Sequence, residues 1–186
     1  RQTVTTGFAR SAVLSHANEI VAAVEKRADP PFLPGGAAVT APRPTRRYYT
    51  EFARLTPPDT VILTLACGKF RLNDLPLGTV PGTGLPRLLD VGQCNDAYSA
   101  IRIALALADA FGCHRQRPAA LAGALLVRAE AVCILIALLA LGIRNIRLGP
   151  TLPAFLSPGV VQELQRRYNL MAVTTPEEDL RAILGR

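Results

Sequence analysis

Short, wholly apolar segments alternate with amphipathic ones along this chain, and the alternation predicts the elements of an α/β fold. Apolar, β-branched runs indicate strands that are buried on both faces, and they lie near residues 61–66, 86–91, 145–148 and 170–173. Apolar residues at helical spacing predict helices over residues 5–27, 48–55, 97–111, 125–141 and 157–168, and from 175 onwards. This order is typical of a Rossmann-like parallel sheet with helices on both faces.

We expect residues 1–186 to form a single α/β domain with a loop-rich stretch at residues 28–46. The chain length suits one domain, and the prolines and glycines of that stretch prevent a long regular element. Within it, Phe32–Leu33 is long enough only for a very short strand. The chain begins at Arg1 and shows no signal-peptide pattern, so we expect a cytoplasmic protein, and a processed product, a fragment or a domain of something longer.

Composition excludes a disordered chain, and the length of the apolar runs argues against a membrane-spanning helix. Hydrophobic residues make up 49% of the chain and charged residues 19%, and the mean hydropathy is +0.24. A disordered chain has fewer apolar residues and a higher charge. The longest apolar run, at residues 131–143, is shorter than the roughly 18 residues that a membrane-spanning helix needs. It therefore predicts a buried helix.

The net charge of +7 raises nucleic-acid binding as an alternative. The basic residues, nearly all arginine, are spread along the chain, and the densest cluster is Arg43, Arg46 and Arg47. Tyr48 and Tyr49 follow it, and cations interleaved with aromatic rings suit single-stranded nucleic acids. The scatter of the other arginines favours an ordinary solvated surface instead.

The four cysteines are the main candidates for chemistry. None forms a CxxC pair, which excludes a zinc ribbon. Cys133 lies in an apolar helix and is expected to be a small buried side chain, and Cys113 follows a predicted helix end and is expected to have no role. Cys67 and Cys94 instead follow two predicted strands. Because ligands of parallel sheets bind beyond the carboxyl ends of the strands, we expect both thiols at one sheet edge.

Two thiols at one edge leave a metal or iron–sulfur site, a redox pair and a pair of structural cysteines open. Asn95-Asp96 is predicted to cap a helix beside Cys94, and a helix amino terminus favours the thiolate form of a cysteine. His16 and His114 do not have the spacing of metal ligands. The sequence contains no glycine-rich phosphate loop and no serine-hydrolase motif.

Three stretches resemble the C-terminal domain of hybrid-cluster proteins, a family of iron–sulfur–oxygen proteins known as hydroxylamine reductases and related to carbon monoxide dehydrogenases. They are LACGKFRLND at residues 65–74, RLLDVGQCNDAYSAIRIALALADAF at 87–111 and LLALGIRNIRLGPTLPAFLSP at 138–158. The shorter segments TTGFARSAVL, RYYTEF and PEEDLRAIL fit the same family in the same order. The resemblance implies a Rossmann-like domain that supplies ligands to a hybrid iron–sulfur–oxygen cluster.

The resemblance also implies which residues would hold that cluster. Cys67 of LACGKF and Cys94 of GQCNDA match two of the family's cysteine ligands. A third family cysteine is replaced by Ala37, and a family Glu and Lys are replaced by Arg128 and Glu130. We expect the remaining ligands to belong to N-terminal helical and cluster domains that this chain does not contain, so that the cluster is incomplete or absent.

Three functions remain open at this point. The first is a hydroxylamine reductase, which converts hydroxylamine and two electrons to ammonia and water and has a small nitrogen-containing substrate and an electron donor as partners. The alternative is a truncated or degenerate relative that keeps the fold, binds no complete cluster and has no activity as an isolated chain, because a cubane cluster requires about four protein ligands. A nucleic-acid or partner-binding module is a third, weaker hypothesis, and no membrane partner is expected.

Overall fold

The four strands that the apolar runs predict are all present in the computed structural model, which describes residues 7–19, 37–38, 44–58, 60–82, 84–110, 129–148, 152 and 155–184. They are β2 (Ile62–Leu65), β3 (Leu88–Gly92), β4 (Arg147–Leu148) and β5 (Met171–Ala172). A further strand, β1 (Ala37–Ala38), lies within the stretch expected to be loop-rich. The very short strand expected at residues 32–33 lies outside the described residues.

All pairings between these strands are parallel, which confirms the α/β class, but the strands form two sheets rather than one. The first sheet has the order β1-β2-β3 and the second pairs β4 with β5. Ala37 lies opposite Thr64, and Ile62 lies opposite Leu88. Strands β4 and β5 have only two residues each. Such short strands form few ladder hydrogen bonds within their own sheet. No ladder pairs the second sheet with the first among the described residues, and side chains connect the two instead.

The described helices follow the predicted order. They are α1 (Arg10–Ser15), α2 (Pro44–Leu55), α3 (Ala97–Ala110), α4 (Ala129–Ala140), α5 (Pro158–Tyr168) and α6 (Pro176–Leu184). Helix α2 begins at Pro44 rather than at residue 48, because proline suits the first turn of a helix. The predicted start of α4 at residues 125–128 lies outside the described residues. The Ser157 hydroxyl accepts a hydrogen bond from the Val160 amide at 3.4 Å and caps α5 as its position predicts.

The first sheet has helices packed on both faces. On one face, Leu63 and Leu65 of β2 form a buried cluster with Val13 of α1 and Ile103 of α3. On the other face, Ile62 packs with residues of α2 and of the segment after β2, namely Tyr49, Ala53 and Leu72. Successive residues of β2 therefore point to opposite faces, and both faces are buried, as the continuous apolar run predicts.

The second sheet packs against α4 and α5 and is joined to the first through the Asp179 carboxylate of α6. Its core consists of Leu135, Ile146, Leu148 and Leu170, with Leu164 packed against them. Asp179 accepts hydrogen bonds from the Tyr48 hydroxyl of α2 at 2.5 Å, from Arg147 Nε of β4 at 3.1 Å, and from the amide and hydroxyl of Thr174 at 2.9 and 3.2 Å. One buried carboxylate thus connects both layers.

The described side chains of α4 are buried on one side of the helix and exposed on the other, which corrects the expectation for Cys133. Leu135 and Leu138 are buried, whereas Cys133 and Ile136 are exposed. The apolar composition runs all round the helix, so sequence alone could not show that a two-stranded sheet covers a single stripe of it. No helix of the described part is long and apolar enough to cross a membrane.

Candidate metal centre

Cys67 and Cys94 lie in two turns at the carboxyl edge of neighbouring parallel strands. The Cys67 turn is a 3-10 helix, Ala66–Arg71, that follows β2 directly. The Cys94 turn is residues 92–96, in which a 3-10 helix, Cys94–Asp96, follows β3. The two 3-10 helices contact each other. The backbone therefore brings both cysteine positions to one edge of the first sheet.

The structure describes the Cys94 thiol but not the Cys67 thiol. The Cys94 thiol is free and exposed. The side chain of Cys67 lies outside the described part of the structure, so the proximity of the two thiols stays a prediction. Cys113 and Arg128 lie outside the described residues altogether. Glu130 is the second residue of α4, and only its backbone is described.

Unusual backbone conformations end both strands at this edge. Ala66 has a φ of +59°, a left-handed conformation that is uncommon for a residue with a side chain, and it turns the chain sharply out of β2. The pairing of β2 with β3 is irregular here, since Thr64 pairs with Asp90 but Leu65 pairs with Gly92. Val91 is thereby bulged out, and bulges beside functional sites re-aim the residues that follow.

Gly92 is required at the start of the Cys94 turn. Its φ is +135°, and a Cβ atom on it would lie 2.2 Å from Asp96 Oδ2. That oxygen accepts a hydrogen bond from the Gln93 amide at 2.7 Å, while the Gln93 side chain accepts one from the Asp96 amide. The cap of this turn is therefore Gln93 with Asp96, not Asn95-Asp96 as the sequence indicated. These reciprocal bonds fix the backbone on both sides of Cys94.

A buried ion pair connects the two turns. Lys69 Nζ of the Cys67 turn lies 3.2 Å from Asp90 Oδ2 of β3, and the two side chains are only 7% and 3% exposed. Asp90 Oδ1 accepts a hydrogen bond from the Gly92 amide at 3.0 Å. Sequence reasoning missed this pair. An aspartate inside the apolar run LLDVG was the available signal, because a charge in a buried strand requires a partner.

The surroundings of the edge supply few other donors. Strand β1 contacts the Cys67 turn, but the methyl group of Ala37 cannot ligate a metal. Two exposed rings flank the edge, Phe70 in the Cys67 turn and Tyr98 in the first turn of α3, at 59% and 62% exposure. Within the described residues, no group of three or more His, Cys, Asp or Glu side chains could hold a metal ion.

This donor set fits a share of an iron–sulfur cluster rather than a whole one. The edge offers two cysteine positions in two rigid turns, and thiolates are the usual ligands of such clusters. A cubane needs about four protein ligands, and the described residues do not provide the other two. Two thiolates from this edge could therefore hold part of a cluster.

The two tyrosines on which the nucleic-acid hypothesis depended are packed against other side chains of the protein. Tyr49 is 2% exposed and packs against β2. The Tyr48 ring is half-buried, stacks 6.0 Å from Phe52 and is bonded to Asp179. Burial raises the pKa of both tyrosine hydroxyls, most strongly for Tyr48, whose hydrogen bond to Asp179 raises it further. Neither ring is free to stack on a base, and Arg47 pairs with Glu51 at 2.8 Å.

Comparison with curated proteins finds close relatives. The hydroxylamine reductase of Moorella thermoacetica is 53% identical over 184 residues, which cover 98% of this chain and 42% of that protein. The hydroxylamine reductase of Solidesulfovibrio magneticus is 51% identical over 185 residues, which cover 98% of this chain and 34% of that protein. The chain thus spans between a third and somewhat over two fifths of the length of these relatives.

Solved structures share the fold. Carbon monoxide dehydrogenase IV from Carboxydothermus hydrogenoformans matches 98% of this chain and 35% of its own with a TM-score of 0.68 at 17% identity. The as-isolated, nickel-free carbon monoxide dehydrogenase from Thermococcus sp. AM4 matches 97% of this chain and 32% of its own, with a TM-score of 0.67 at 22% identity. The profile of the Prismane/CO dehydrogenase family matches residues 38–181, and the chain therefore belongs to the Prismane/CO dehydrogenase family.

Proposed function

We propose that this chain is the α/β part of a hydroxylamine reductase and that Cys67 and Cys94 give thiolate ligands to its iron–sulfur cluster. The observation that carries the proposal is the meeting of two cysteine-bearing turns at the carboxyl edge of adjacent parallel strands. The names of the relatives that match almost the whole chain support the activity. We also propose that residues 1–186 form one domain. The bonds of the Asp179 carboxylate to Tyr48 and Arg147 support this, because they link the two sheets.

The proposed reaction is the reductive cleavage of an N–O bond. Hydroxylamine takes up two electrons and two protons, the N–O bond breaks, and ammonia and water leave. The bound cluster would supply the electrons, which an external donor replaces. The contribution of this chain is to hold two thiolates in fixed turns. We also propose a cytoplasmic setting, because ligand thiols need a reducing compartment and Cys94 and Cys133 are free.

Iron binding tests the ligand assignment. The chain is reconstituted anaerobically with ferrous iron and sulfide, and bound iron is quantified for Cys67→Ser, Cys94→Ser and Cys133→Ser. Cys133 is an exposed cysteine on α4, so its variant is the matched control. We expect the first two variants to lose most of the bound iron and the third to retain it. Equal retention by all three would refute the assignment.

A chimera tests the activity. This chain replaces the matching 42% of the Moorella thermoacetica enzyme, with Ala37→Cys, Arg128→Glu and Glu130→Lys included to restore the family's ligand pattern. We expect hydroxylamine-dependent oxidation of a reduced dye, and we expect Cys94→Ser to abolish it. An iron-loaded chimera without turnover would refute hydroxylamine as the substrate while leaving the ligand assignment intact.

A further inference from the structure

We infer that the Lys69–Asp90 ion pair is a positioning pair, which fixes the separation of the Cys67 and Cys94 turns and so decides whether both thiolates reach one metal centre. The inference rests on the proposed function, because it assumes that the two cysteines act together. It assigns a role to two residues that are not ligands themselves.

The geometry places the Asp90 carboxylate between the two turns. Its Oδ2 lies 3.2 Å from Lys69 Nζ, and Lys69 is two residues beyond Cys67 in the same 3-10 helix. Its Oδ1 accepts a hydrogen bond from the amide of Gly92, two residues before Cys94. A single side chain therefore contacts both turns at once. The Asp90 backbone is fixed as well, because its carbonyl accepts a hydrogen bond from the Phe8 amide at 2.7 Å.

The pair is poorly arranged for stability alone. Burying two charges removes them from water, and replacing such a pair with apolar side chains is often neutral or stabilising. Asp90 Oδ2 has no hydrogen-bond partner among the described residues, although it lies within ion-pair distance of Lys69. Positioning explains why the pair lies between these turns.

Another buried ion pair among the described residues provides the comparison. Arg147 Nε lies 3.1 Å from Asp179 Oδ1, and these side chains are 5% and 4% exposed. Asp179 also accepts hydrogen bonds from Tyr48 and Thr174. This pair is equally buried and well satisfied, and it joins α2, β4 and α6 rather than the cysteine turns. It is therefore the matched control for an effect on stability that does not involve the thiols.

The test uses Co²⁺ as the probe, because the charge-transfer absorption of Co²⁺ reports how many thiolates bind the ion. The background carries Cys113→Ser and Cys133→Ser, so that only Cys67 and Cys94 remain. We expect one Co²⁺ held by two thiolates in this background. Lys69→Met and Asp90→Asn should each weaken Co²⁺ binding by about tenfold or more, as lost support of a ligand typically does, and should reduce the absorption to that of one thiolate.

Two further variants separate positioning from stability. Arg147→Met should lower the melting temperature and leave Co²⁺ affinity unchanged within about twofold. The double variant Lys69→Met/Asp90→Leu removes both buried charges and should remain folded, and it should still lose Co²⁺ affinity because the bond to the Gly92 amide is gone. Full Co²⁺ affinity in the folded double variant would overturn the inference.

A metal-free readout separates failure of the inference from failure of the proposed function. A short bifunctional thiol reagent should crosslink Cys67 to Cys94 in the background and much less in Lys69→Met, with Arg147→Met as the control. A crosslink that depends on Lys69, without two-thiolate Co²⁺ binding, would support positioning and refute the ligand assignment. Two-thiolate Co²⁺ binding and a crosslink that both persist in Lys69→Met would refute positioning alone.

Discussion

At the scale of single residues, the candidate centre depends on positions where the backbone permits little choice. Gly92 has a φ of +135° and no room for a methyl group, and Ala66 is left-handed at the end of β2. The sequence pointed to the cysteines because they follow apolar strands, but it could not pair Lys69 with Asp90. That pairing requires β2 and β3 to be neighbours in a known register, and both depend on packing across the whole sheet.

Replacing Gly92 with alanine should destabilise the protein by about 2 kcal/mol or more, because the new methyl group would meet Asp96 Oδ2 in a conformation that alanine rarely adopts. Gly142→Ala is the control. Gly142 also has a positive φ, of +76°, but open space surrounds it, so only the backbone penalty of about 1 kcal/mol applies. Chemical denaturation of both variants measures the difference. Equal losses would show that the Asp96 contact does not constrain the Cys94 turn.

Restoring a thiol at position 37 should increase the iron that the reconstituted chain retains. Ala37 lies in β1, beside the strand that carries the Cys67 turn, and Ala37→Cys would add a third thiolate where the described residues lack one. Ala38→Cys is the control, because neighbouring residues of a strand point to opposite faces. Iron quantitation after anaerobic reconstitution gives the result. Equal iron in both variants would place position 37 outside the centre.

At the scale of elements, the apolar pattern located the strands and the order of the helices but did not show how they combine. It also predicted one first helix over residues 5–27, whereas α1 begins at Arg10 and ends at Ser15, and residues 20–27 lie outside the described part of the chain. All four predicted strands are confirmed, and α5 lies where it was predicted. The division into two sheets was not predicted. The apolar runs predicted longer strands at β4 and β5 than the two residues that each has, and a run of apolar residues does not show which strands pair. The prediction that Cys133 is buried was wrong for a similar reason, since the composition of α4 does not reveal which side of the helix the sheet covers.

The packing of α2 predicts a loss of stability at alkaline pH. Burial raises the pKa of Tyr48 and Tyr49 above the ordinary value of 10, so the folded protein keeps these protons when the unfolded chain has released them. The contribution of these two tyrosines to the free energy of unfolding is therefore fully present below pH 10 and is lost as the pH rises above it. Unfolding midpoints measured from about pH 8 to pH 12 should show this fall.

Phenylalanine variants identify the groups responsible for that fall. Tyr48→Phe and Tyr49→Phe should each flatten the alkaline decline, because they remove a buried group that titrates only after unfolding. Tyr98→Phe, at an exposed position, should leave the decline unchanged. An equal decline in all three variants would assign the effect to other groups.

At the scale of the whole molecule, two cysteine positions meet at the candidate centre, and the described residues do not present a full ligand set. We therefore expect the isolated 186-residue chain to show no hydroxylamine turnover even after anaerobic reconstitution, because a cluster held by two thiolates lacks anionic donors on its other sides. A reduced-dye assay with hydroxylamine measures this. Turnover together with stoichiometric retention of a multi-iron cluster would contradict the expectation.

The Asp179 carboxylate should also couple the opening of the two sheets. It bonds to α2, to β4 and to the segment before α6, so opening the second sheet would break a bond to the helix that packs on the first sheet. The amide protons of Met171 and Val173, which donate to Ile146 and Leu148, should then exchange with solvent at rates close to those of β2. In Asp179→Asn, exchange at these two amides should accelerate while β2 stays protected.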